Sequence, residues 1–169
     1  MAAQKIISIE HKLEVMGLSL PKPMKAPAGV SFPFPFVKVH GNMAYISGHL
    51  PLEQDGQISD LRGKLGDSIS LEEGYESAKL AALSVLASLK EALGYLDRVQ
   101  SWLRVFGMVN CTPDFELHPK VINGFSDLIR ELYGPERGFP ARSAVGMGSL
   151  PFQVPVEIEA IVEISNSNF

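Results

Sequence analysis

The chain of 169 residues contains a single cysteine, Cys111. One thiol can neither staple a fold nor build a multi-thiolate metal site, and a thiol-poor chain suits a reducing, cytoplasmic home. Cations are outnumbered, 15 Lys and Arg against 19 Asp and Glu, giving a formal net charge of −4. Gripping nucleic acid requires clustered Lys and Arg that displace counterions, so this balance argues against such a partner. No apolar run reaches the ~20 residues that span a bilayer, and the N-terminus lacks a signal-peptide core, so no membrane is expected. The histidines His11, His40, His49 and His118 have no metal-ligand spacing, and Asp55, Asp60 and Asp67 lack the calcium-loop pattern. No metal site is expected.

With 46% hydrophobic and 20% charged residues, the chain can fill a core, and its length fits one domain over residues 1–169. Ile6, Ile9, Leu13 and Met16 recur at helical spacing before Gly17, which predicts a short amphipathic helix over 5–16. Five prolines between 19 and 35 make an extended strap, so 1–32 reads as an N-terminal helix and strap, and 33–164 as the core. Phe36–His40 and Met43–Ser47 flank Gly41-Asn42, a two-residue hairpin signal. Ser70 and Glu73 form a capping box for a helix that runs to Leu93 and stops at Gly94. Val99–Val109 reads as a strand with Val99, Leu103 and Val105 on one face and Trp102, Phe106 and Met108 on the other. A second helix follows Pro119 and stops at Gly134, and Gly146-Met-Gly148 reads as a turn.

The last strand alternates. Val154, Val156, Ile158, Ala160, Val162 and Ile164 share one face, while Glu157, Glu159, Ile161 and Glu163 share the other. The expected order is helix, strap, β-β-α-β-α-β, an α+β fold with two helices on one face of a mixed sheet. Trp102, Phe106, Met108 and Ile161 then point away from the helices. So much exposed apolar area is unusual for a monomer, and the second face is expected to be covered by copies of the same chain.

Arg142 is the sole cation after Gly138. Two readings compete there: an ordinary surface ion-pair partner, or a fork for a planar carboxylate. Glu157 has two readings as well. It is either an interface ion-pair partner or an acid whose desolvation raises its pKa toward neutrality for proton transfer. Ser47 lacks the G-x-S-x-G frame of a nucleophile elbow, and Cys111 reads as inert.

Ser47-Gly48 after a hairpin, Asn123 in the second helix, Pro140-Ala141-Arg142-Ser143 and Val156-Glu157-Ile158-Glu159-Ala160 occur in one order. Together they resemble the RidA/YjgF family of reactive-intermediate (enamine/imine) deaminases, over roughly residues 33–164. The resemblance implies a chorismate-mutase-like fold, a homotrimer around an inner barrel of sheets, and clefts between subunits for small 2-oxo or 2-imino acids. It implies that Arg142 holds the substrate carboxylate and Glu157 positions the hydrolytic water, with Ser47 and Asn123 lining the pocket and no cofactor required. Two positions depart from the family pattern. Ala144 stands where many members carry Cys. Phe34 (or Phe36, if the strap shifts) stands where many carry a Tyr that reaches the neighbouring cleft. Other readings are a non-catalytic trimer that binds or senses a 2-oxo acid, an endoribonuclease, which the acidic balance disfavours, and a purely structural or chaperone-like oligomer.

Overall fold

The computed structural model describes residues 7–165. Its first helix, α1 (Ile9–Val15), is capped by the Ser8 hydroxyl, which accepts from the His11 amide. Ile6, at the start of the predicted stripe, lies outside the described residues. Ile9 and Leu13 are buried in the same cluster as the rest of the core. The Ile9 amide also donates to Asp97, and Glu10 accepts from the Leu96 amide. The strap that follows is tied down by main-chain bonds, Lys22 N–H to the Gln54 carbonyl and Lys25 N–H to that of Gly56.

The hairpin forms as expected, β1 (Val37–His40) with β2 (Met43–His49). In α2 (Leu71–Leu93) the capping box is present. Ser70 Oγ accepts from the Glu73 amide at 3.2 Å, and the Glu73 carboxylate accepts from the Ser70 amide at 2.8 Å. Then come β3 (Val99–Asn110), α3 (His118–Arg137), β4 (Ala141–Met147) and β5 (Val156–Ile164). The sheet order is β1-β2-β5-β3-β4, antiparallel except for the parallel pair β3-β4 at one edge. The two long helices lie on one face, with Gly124 of α3 against the Tyr75 carbonyl of α2. A Cβ built at Gly124 would stand 1.9 Å from that oxygen, so glycine sets the helix spacing. No helix of the described residues is long and apolar enough to cross a membrane.

Three expectations change. Residues 141–147 form β4, a strand that the expected order lacks, so Gly146 and Met147 are strand residues and not a turn. Short β-forming runs containing Gly carry weak periodicity, and here parallel pairing with β3 decides the conformation. At Gly134 (φ 78°, ψ 173°) the helix breaks but resumes through Pro135 to Arg137. Finally, Trp102 points into the helix-side core, 2% exposed, edge-on to Phe125 and Tyr133 at 5.6 and 5.8 Å, while Leu103 is 38% exposed. The cause is a register shift of β3 against β5 between Trp102 and Arg104. One extra residue in a strand reverses the facing of what precedes it, and a second shift, between Val99 and Ser101, returns Val99 to the helix side.

From Arg104 onward the alternation is regular. Val105, Gly107 and Val109 face the helices, and Phe106 and Met108 face away, partly exposed. The even face of β5 is sealed as expected: Val156, Ile158 and Val162 are fully buried, and Ala160 and Ile164 nearly so.

Candidate functional site

Directly cross-strand residues share a face of a sheet. Arg142 pairs with Val105, so its side chain rises on the helix side, where α3 passes over it. Asn123 and Ser126 lie three apart on α3 and therefore on one face of that helix. Both accept hydrogen bonds from Arg142 Nη1 at 2.9 Å. Nη2 makes a longer 3.4 Å contact to the Pro119 carbonyl. Partial burial pulls the guanidinium's pKa down, and the nearby Asp127 carboxylate acts against that shift. The group stays charged, and its residue lines a cleft of about 370 Å³ together with Asn123, Ser126, Asp127, Arg130 and Phe139. Arg130 lies over the Phe139 ring, 5.3 Å from its centroid. Ala144 stands on the same face, paired with Gly107 and packed against the core.

Glu157 belongs to the other face. Its strand partner is Met108, and its carboxylate occupies the space above Gly48, where a Cβ would come within 1.9 Å of Oε1. Burial raises the Glu157 pKa, and the like charge of Glu159 raises it further. A second cavity of about 500 Å³ on this face includes Phe34, Tyr45, Ser47, Arg104, Phe106 and Glu159 in its lining. The Ser47 hydroxyl donates to the Pro35 carbonyl at 2.9 Å, which fixes the end of the strap. Phe34 is 47% exposed and makes tilted and edge contacts with Phe32 and Phe36, at 5.8 and 5.9 Å.

The chain thus unites Arg142 with Asn123, and Phe34 with Ser47. It sets Glu157 on the opposite side of the sheet from Arg142. Ser126 and Gly48 belong to these arrangements too; the sequence offers Gly48 only as part of the Ser47-Gly48 motif, without its contact to Glu157, and leaves Ser126 out. Ser126 could have been found from its three-residue offset from Asn123. The Gly48 contact could not, because its neighbour is distant in sequence. Among the described residues no cluster of three His, Cys, Asp or Glu side chains could hold a metal ion.

A family model described as "YjgF/chorismate mutase-like, putative endoribonuclease" matches residues 10–154. The chain belongs to this family. The YjgF match takes in the strap and ends just before the strand that carries Glu157. Protein TCP17 of Trypanosoma cruzi is 37% identical over 158 residues, covering 94% of this chain and 95% of its own length. Among solved structures, Atu1372 of Agrobacterium tumefaciens, a protein of unknown function, is 38% identical with a TM-score of 0.83, covering 94% of both chains. The YjgF protein of Escherichia coli shares the fold at 24% identity and a TM-score of 0.58, over 85% of this chain and 95% of its own. The five-stranded mixed sheet with its helices is the YjgF/chorismate-mutase-like fold.

Proposed function

We propose that the chain hydrolyses small 2-imino and enamine acids, of the 2-aminoacrylate and 2-iminopropionate type, to 2-oxo acids and ammonia. The reaction takes place in clefts between the subunits of a homotrimer. The observation that carries this reading is the state of Arg142. Asn123 and Ser126 occupy one nitrogen of its guanidinium, while on the Nε–Nη2 edge the described residues supply a single long contact, and the residue lines a cleft. A planar carboxylate matches such an edge with two parallel hydrogen bonds.

The remaining chemistry is modest, because an imine carbon is already electrophilic and needs mainly orientation and a proton relay. Water attacks the C=N carbon while Glu157 takes its proton, forming a carbinolamine. Glu157 returns that proton to the nitrogen; the carbinolamine hydroxyl then gives its own proton, by way of Glu157, to the same nitrogen, the C–N bond breaks, and ammonia leaves as the C=O of the 2-oxo acid forms. A carboxylate of raised pKa suits both halves of that transfer. In one chain Arg142 and Glu157 stand on opposite faces, so a shared substrate needs a second copy to bring its Glu157 to this Arg142. The partly exposed Phe106, Met108 and Ile161 give that copy an apolar surface to cover.

The decisive assay adds the protein to an amino-acid oxidase reaction and traps the released imine with semicarbazide. Faster loss of trappable imine is expected with the natural chain and not with Arg142→Ala. Full activity of that variant would remove the assignment.

A further inference from the structure

The strap roofs a cavity that plays no part in this chemistry. Residues Leu20–Met24 pass over the end of β2 and the last turns of α2, above a space of about 340 Å³. That volume is within the range of small-molecule sites, about 300–1,000 Å³. Its walls are largely apolar, from Pro23, Met24, Phe36, Leu50 and Leu52. The charged side chains that reach it, Lys22, Lys90 and Glu91, are exposed and stand at its mouth. Polar groups lie on the floor: His49, Ser84 and Ser88.

The protons on that floor can be assigned. His49 is 4% exposed, and burial holds its pKa down to about 4, so the ring is neutral. Nδ1 lies 2.7 Å from the Ser47 carbonyl, which can only accept, so Nδ1 carries the ring proton and Nε2 is bare. Ser88 Oγ, 2.8 Å from Nε2, must donate to it. Ser84, 2% exposed, donates to the Leu80 carbonyl at 3.0 Å. Both hydroxyl protons are therefore committed to the protein, and the floor offers lone pairs without a free donor. A carboxylate would find only acceptors there. A Ser–His nucleophile is also disfavoured, since so weak a base would not take the serine proton at neutral pH.

We propose that this cavity binds a small neutral molecule with an apolar body and one hydrogen-bond donor, such as an aryl alcohol, which donates to Ser88 Oγ. The probe pair is phenol and anisole, which share a ring and differ in the donor. Titrated into the full chain and followed by backbone amide shifts, phenol is expected to saturate with changes centred on Ser88 and His49. Anisole should bind roughly tenfold more weakly, the difference one buried hydrogen bond makes. Ser88→Ala should bring phenol down to the level of anisole, and Ala87→Trp, which fills the cavity from α2, should abolish both. The wild-type comparison requires no variant to fold. Equal binding of the two probes, no saturable shift with phenol, or phenol binding that survives Ala87→Trp would overturn the proposal.

Discussion

On the helix side of the sheet, Val99, Trp102, Val105, Val109 and the even residues of β5 are sealed against α2 and α3. On the other side of the same strands, Phe106, Met108 and Ile161 stay partly exposed beside Glu157 and Glu159. Both faces are built from one alternating pattern, yet only the first is finished within the chain. Packing specifies the covered face: side-chain volumes interdigitate, and a methyl group matters. The open face keeps apolar area and acids together, a combination that makes physical sense where something else completes it. The groups proposed for catalysis are divided between the two, Arg142 on the finished side and Glu157 on the unfinished one.

The sharpest way to break this comparison is to inactivate each face separately. Glu157→Gln is expected to lower kcat by roughly 10²–10⁴-fold while ligand still binds. Arg142→Ala should cost about 1.5–3 kcal/mol of substrate binding, a charge-assisted hydrogen bond's worth. Co-refolding the two inactive variants should restore part of the imine-hydrolysing activity, because mixed assemblies pair an intact Arg142 with an intact Glu157. If no activity returns, the two groups do not share a site across subunits. Gly48→Ala tests the open face alone. The new methyl would displace the flexible Glu157 side chain, so activity should fall nearly as far as in Glu157→Gln while thermal stability moves little, within about 0.5 kcal/mol.

The faces should also answer pH with opposite sign. His49, on the covered side, has a folded pKa of about 4 against an ordinary value of 6.5. Between those values the unfolded chain binds a proton that the folded chain refuses, so stability falls with acidification, by on the order of 3 kcal/mol. Glu157 has a raised pKa, so just above its ordinary range the folded chain holds a proton that the unfolded chain has lost. There acidification favours the fold. Urea midpoints across this pH range, repeated with His49→Phe, should show the acid-side loss shrink in the variant. Gly107→Ala tests the covered face alone. Its Cβ would come within 2.6 Å of Ile122, an overpacking that costs about 1–3 kcal/mol and is read as a lowered Tm.

Much of this was legible in the sequence, for identifiable reasons. Strict alternation in β5 and the Ser70–Glu73 cap are local signals, and local signals fixed those elements to within a residue or two. The likeness carried by Ala141-Arg142-Ser143 and Glu157-Ile158-Glu159 led to the right family and fold. What escaped was non-local. Strand β4 exists because β3 offers it a parallel partner. The shift that turns Trp102 inward is defined only against β5. Gly48 has meaning only once Glu157 stands above it. No window along the chain contains both members of such pairs.

The inward turn of Trp102 has a practical use. It is the only tryptophan in the chain, wedged between Phe125 and Tyr133, and Phe125 shares α3 with Asn123 and Ser126. Its emission is therefore a built-in optical gauge of whether the helix behind the guanidinium is seated. The colour of that fluorescence should redden when α3 lifts, whatever happens on the far side of the sheet.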